Sequence, residues 1–213
     1  ISRISNDEFG NDTFKFGTGK FVFIGSKKVW VQRLSYVGEL GFEIYINNKD
    51  AKKIYQLIVE EGKNHNLSHC GSHAMDTMRM ESGFLHWGHD ISPEENQYEA
   101  GLNFAISYKK QADFIGKESL LKIKDRKKSK RFIILTLVDN DPGYPLLLHE
   151  EPIYLSDKII GRTTSGNYSF NYKKNLSFGY INTNYTNEEL LEKKIYIEIA
   201  KKKFRAQILI NPL

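Results

Sequence analysis

Glu43 is a carboxylate set in a run of strand-forming residues, FEIYI at 42 to 46, within the longer stretch RLSYVGELGFEIYI from Arg33 to Ile46. By the two-residue period of a strand, Phe42, Ile44 and Ile46 share one face, and Glu43 and Tyr45 share the other. A charge on that face must meet hydrogen-bond donors or water, so Glu43 is the first candidate acceptor. The octapeptide FLHWGHDI at 84 to 91 is the second place where chemistry could gather, with His86, His89 and Asp90 crowded around Gly88. Two histidines at that spacing can ligate a metal, but no cysteine or further histidine follows at a suitable interval, and Asp90 alone does not complete a ligand set. No metal site is expected. Asp76, Arg79 and Glu81 are close enough in sequence for local ion pairs, and Arg79 reads as a structural tie rather than a ligand contact. The single cysteine, Cys70, cannot form an internal disulfide, which fits a reducing compartment, and it is expected to be a half-buried thiol rather than a nucleophile.

The elements that must hold these residues follow from periodicity. Lys20 to Ile24 and Lys28 to Tyr36 read as a strand pair turning at Gly25 and Ser26, Val37 to Gly41 as a turn, and Phe42 to Ile46 as a further strand. From Asp50 the period becomes helical, with Ala51, Ile54, Tyr55 and Ile58 on one face, which predicts a helix laid on that sheet. A second helix is predicted from Ser72, with Ala74, Met75, Met78 and Leu85 on its apolar side and Gly83 weakening its end. Gln97 to Tyr108 reads as a return to strand and Phe114 to Leu121 as a short helix. Six short strands are then expected at 131–138, 153–155, 159–164, 176–181, 195–200 and 204–210, which argues a small barrel or sandwich. The fold class expected is therefore α+β, an antiparallel sheet with helices followed by a small all-β barrel or sandwich domain. The division is drawn through the basic run, giving domains 1–124 and 125–213.

Composition excludes several functions. The 213 residues carry 31 basic and 26 acidic side chains, scattered along the chain, for a net charge of +5. The one dense basic run, KIKDRKKSKR from Lys122 to Arg131, has no aromatic residues interleaved, so it reads as a solvated loop between domains and no nucleic-acid partner is expected. No uninterrupted apolar run approaches the roughly 20 residues a membrane helix needs, and no membrane partner is expected. The opening ISRISNDEFG lacks the apolar centre of a secretory signal. GTGKFVFIG has neither the spacing nor the following helix of a phosphate loop, and GxGxxG occurs nowhere. Residue 1 is Ile and the chain starts without preamble, so a piece of a longer polypeptide is expected.

The motifs SYVGELGFEIY at 35 to 45, MDTMRMESGFLHWGHDI at 75 to 91, EAGLNF at 99 to 104, FIGKESLL at 114 to 121 and TTSGNYSFNYKKNLSFGYI at 163 to 181 keep order across nearly the whole chain. In them the sequence resembles the folate-binding family of the glycine cleavage T-protein (aminomethyltransferase), and most of all the C-terminal region of dimethylglycine and sarcosine dehydrogenases. Met75 stands where T-proteins usually have arginine, and Trp87, Gly88 and His89 stand where they have Tyr-Gly-Asn; both departures favour the dehydrogenase branch.

The resemblance implies a folate-binding unit followed by a β-barrel, with tetrahydrofolate as cofactor. Glu43 matches the family's glutamate that holds the pterin ring, a role suited to a carboxylate because it can accept two parallel N–H bonds from the amide and amino edge of a pterin. Tyr36 matches a tyrosine placed near the reduced folate; on its own it reads as an edge-strand aromatic. The family's catalytic aspartate lies upstream of that tyrosine, in a part this chain does not contain, so no catalytic residue is assigned. FAD would belong to a separate or missing domain or subunit. The function implied is capture of a methylene group from an N-methyl amine on tetrahydrofolate, as a portion of a larger enzyme. A glycine cleavage aminomethyltransferase, a sulfonium demethylase relative and a non-catalytic folate-binding or scaffold module remain open beside it. A bacterial cytoplasm or the mitochondrial matrix is the compartment implied.

Overall fold

The computed structural model describes residues 1–126, 130–139 and 141–210. Lys127, Lys128 and Ser129 of the basic run lie outside the described residues. The chain divides into two compact units, Ile1–Met75 and Asp76–Leu213. That division by compactness falls well before the basic run.

In the first unit, β1 (Gly19–Ile24), β2 (Lys27–Gln32) and β3 (Glu43–Tyr45) form an antiparallel sheet in the order β1-β2-β3. Alternation gives the sheet an apolar side. Val22, Ile24, Val29 and Val31 are buried there with Phe9 and Phe14, and Phe42, Ile44 and Ile46 pack against them. Helix α1 (Asn48–Gly62) covers this side through Ile54 and Ile58, as the periodicity predicts. Tyr55, placed on the same predicted face, is instead exposed. The strands are also shorter than expected. Residues 33 to 36 leave the ladder, because the chain must fold back sharply: Gly38 takes a φ of +79°, and a Cβ on Gly41 would lie 2.8 Å from the carbonyl oxygen of Leu34.

The second unit is built around a closed barrel in the strand order β4-β7-β6-β5-β8-β9. Its strands are β4 (Lys130–Leu137), β5 (Pro152–Leu155), β6 (Lys158–Ser169), β7 (Lys174–Asn182), β8 (Ile195–Ile199) and β9 (Lys202–Ile208). Closure removes the edges that an open sheet of this size would expose. Inward-facing Ile133, Leu135, Ile153, Ile160, Ile181, Ile195 and Ile197 fill the interior. Outside it, Phe178, Ile134 and Leu176 pack with Met80 of α2 (Ser72–Glu81), a helix whose first residues belong to the other unit. Short helices α3 (Lys117–Ile123) and α4 (Asn187–Leu191) accompany the barrel strands in this unit, α4 with a capping box between Thr186 and Glu189.

Two expectations fail for identifiable reasons. Residues 97 to 108 form turns and a 3-10 segment at Asn103–Ala105, not a strand. The Asn96 side chain accepts from the backbone N–H groups of Tyr98 and Glu99, and Gly101 has a φ of +73°, so local side-chain bonding competes successfully with a ladder. On α2, the residues buried are Thr77, Arg79, Met80 and Glu81, while Met75 is 43% exposed. The apolar stripe misplaced this face because charged residues, paired within the fold, are what it buries. Cys70 is exposed rather than half-buried.

Candidate functional site

Glu43 opens β3 and is exposed on the face opposite the core. It sits across from Gln32 of β2, and the next outward residue, Tyr45, sits across from Trp30. The Tyr45 hydroxyl donates to the Glu43 carboxylate at 2.8 Å and reaches the Gln32 side-chain oxygen at 3.5 Å. This bond, reinforced by the charge of Glu43, holds the Tyr45 phenol above its usual pKa. Glu43 makes no ion pair among the described residues, so its negative charge is presented to solvent on a strand whose other side is fixed in the core. A carboxylate held in this way can accept paired N–H bonds from a planar heterocycle.

Around it the same sheet face is aromatic. Phe21 and Trp30 are cross-strand neighbours with rings edge to face at 5.0 Å, and Phe21, Phe23 and Tyr45 each keep about half or more of their surface exposed. Tyr36, the second predicted site residue, lies in the connection between β2 and β3 and is half-buried. The fold-back that presses Gly41 onto Leu34 and Ser35 returns the segment carrying Tyr36 to the start of the strand carrying Glu43. Tyr45 was visible in the sequence as a same-face neighbour of Glu43, yet only the structure gives it a role as the donor that occupies one carboxylate oxygen.

The second predicted cluster resolves differently. Arg79 is 1% exposed and each of its three guanidinium nitrogens donates a hydrogen bond. It donates to Asp76 at 2.7 Å, to the Phe84 carbonyl at 3.0 Å, to the Asp90 carboxylate and to the Ser165 hydroxyl at 2.8 Å. Asp90 in turn accepts from Thr164 and Ser165 and from the backbone N–H of His86. The tie inferred for Arg79 is present, but it reaches across to β6 as well as along its own helix. Glu81 takes no part in it and accepts instead from Ser169 and Asn171. The rings of His86 and His89 lie 4.5 Å apart. Among the described residues no group of three His, Cys, Asp or Glu side chains is placed to hold a metal ion, and no helix is long and apolar enough to cross a membrane.

Two family models match the chain, the GCVT N-terminal domain over residues 1–110 and the glycine cleavage T-protein C-terminal barrel domain over residues 130–213. Among curated proteins, human mitochondrial dimethylglycine dehydrogenase is 32% identical over all of this chain and 24% of its own length. The aminomethyltransferase of Listeria welshimeri is 34% identical over all of this chain and 55% of its own. The 4-methylaminobutanoate oxidase (formaldehyde-forming) of Paenarthrobacter nicotinovorans is 37% identical over 79% of this chain and 20% of its own. The chain thus spans about a quarter of the dehydrogenase and about half of the aminomethyltransferase. The crystal structure of glycine cleavage system aminomethyltransferase T from Bartonella henselae has the same fold, with a TM-score of 0.77 at 22% identity over 96% of this chain and 54% of that one.

Proposed function

The chain belongs to the glycine cleavage T-protein family, and on that premise we propose that it binds tetrahydrofolate and serves a one-carbon transfer, as a portion of a larger enzyme or complex. In this reading residues 1–124 are part of a folate-binding domain and residues 125–213 its C-terminal barrel domain. The donor is an N-methyl amine of the dimethylglycine or sarcosine type, oxidised at a flavin domain or subunit outside this chain. The two dehydrogenase and oxidase relatives, both named for oxidation of methylated amines, support that choice. The compartment follows the relatives, the mitochondrial matrix or a bacterial cytoplasm.

The observation that carries the reading is the setting of Glu43. Its carboxylate stands exposed on a rigid strand, steadied by Tyr45 and without an ion pair among the described residues. It fits the amide and amino edge of a pterin, to which both oxygens can accept. Bound tetrahydrofolate would supply the amine nitrogens that take up the carbon. Glu43 would fix the ring's position and orientation, and Tyr36 would flank it. Holding a reactant in this way supplies proximity rather than proton transfer. The test is a calorimetric titration of the chain with tetrahydrofolate and, in parallel, with p-aminobenzoylglutamate, which keeps the tail and lacks the pterin. Saturable binding of the first and at least tenfold weaker binding of the second, on the order of 1.4 kcal/mol or more, is expected. Equal affinities, or no binding of either, would count against the reading.

A further inference from the structure

The barrel unit holds a polar cavity of about 360 Å³ that shares no residue with the folate site proposed above. Its lining includes Asp90, Glu94 and Glu95 from the segment after α2, Lys130 of β4, Arg162 of β6 and Tyr180 of β7. Tyr180 is the anomaly in it. The residue is 7% exposed, its ring packs edge-on against Phe132 at 5.7 Å, and its hydroxyl has no hydrogen-bond partner among the described residues. A hydroxyl buried without a partner forfeits its bonds to water and gains none in return, so native proteins rarely leave one unmet.

The charges around this phenol decide what could meet it. Glu95 is paired with Lys130 at 2.7 Å, Arg162 with Glu150 at 2.8 Å, and Asp90 with Arg79. Glu94, on the lining, makes no ion pair among the described residues. Burial first, and then the charges of Glu95, Asp90 and Glu99, push the Tyr180 phenol above its usual pKa. The hydroxyl therefore stays protonated at neutral pH and stands in a negative field. That field repels an anionic acceptor and attracts a cationic donor. The ring already has such a neighbour, since the Lys130 ammonium lies 5.2 Å from its centroid.

We propose that this cavity binds a small primary or secondary ammonium ion, whose N–H donates to the Tyr180 hydroxyl oxygen and whose charge is balanced by Glu94 on the lining. The volume lies at the low end of ligand cavities, which restricts the amine to a small one. The proposal stands apart from the folate reading, because neither Glu43 nor Tyr36 contributes to it.

The probe is methylammonium chloride, titrated into the 213-residue chain at an ionic strength held by sodium chloride and followed by amide NMR shifts and thermal melts. Saturable shifts at residues 88–95, 160–164 and 180–182 are expected, with a rise in Tm that sodium chloride alone does not give. Tetramethylammonium keeps the charge and has no N–H, and should bind about tenfold more weakly if donation to the hydroxyl matters. Tyr180→Phe removes the unmet hydroxyl and keeps the ring, so the unliganded chain should be as stable or more so, with methylammonium binding weakened about tenfold. Glu94→Gln, at an exposed position that does not threaten the fold, should weaken binding roughly threefold. Absence of saturable shifts, equal binding by Tyr180→Phe, or loss of Tm in unliganded Tyr180→Phe because a bound water had met the hydroxyl, would each overturn the proposal.

Discussion

At the scale of single residues, the account rests on how a carboxylate is held. Tyr45 donates to Glu43, and the bond keeps the Tyr45 phenol above its ordinary pKa. Because the folded value is raised, the contribution of this bond is complete below the ordinary tyrosine pKa of about 10 and is lost as pH rises through the raised folded value. Following the ring carbons of labelled tyrosine by NMR, Glu43→Gln should move the Tyr45 titration down toward its ordinary midpoint. An unchanged midpoint would mean that the contact does not persist in solution. The sequence carried enough to put Glu43 and Tyr45 on one face, since alternation with Phe42, Ile44 and Ile46 is strict. It could not give the bond, which depends on rotamers. Nor could it pick out Tyr180, whose anomaly is the lack of a partner in three dimensions.

At the scale of elements, α2 and β6 show where pattern reading reaches its limit. The barrel strands were legible because each is a short apolar run bounded by turn residues, and all six appear within a few residues of their expected bounds. The buried face of α2 was not, since Arg79 and Glu81 score as polar and are buried through partners as far along the chain as Ser165 and Ser169. Such pairing is invisible to a local period. Its energetic weight is testable: Arg79→Met leaves the Asp90 carboxylate buried without its cation and should cost about 3–5 kcal/mol of stability in urea unfolding. Adding Asp90→Asn should recover part of the loss, because the uncompensated charge is then gone. A loss under about 1 kcal/mol for the single variant would show the network to be solvated and weak. Residues 97 to 108 failed as a strand for the opposite reason, a local bond from Asn96 that a hydrophobic period does not register.

At the scale of the whole molecule, the proposed domain division and the compact units differ, and the Arg79 network explains how both arise. The composition shift falls in the basic run, but the side chains that close the outer wall of the barrel come from earlier, from Arg79, Glu81 and Asp90. A piece beginning at Asp76 keeps them, and one beginning at Lys130 strands the Thr164, Ser165 and Ser169 hydroxyls without those partners. The shorter piece should therefore melt lower or fail to fold, whereas equal melting of the two would make residues 76–129 dispensable to the barrel. Function is tested most directly on the intact chain, or on its full-length parent, by calorimetric titration with tetrahydrofolate of the wild type and Glu43→Gln. The glutamine keeps the shape but turns one acceptor into a donor facing a ligand N–H. The account predicts a loss on the order of 2–4 kcal/mol, a weakening of roughly thirtyfold to thousandfold, with little change in thermal stability. Clear wild-type binding that Glu43→Gln leaves unchanged would contradict it, and would reduce Glu43 to a surface carboxylate with no part in holding folate.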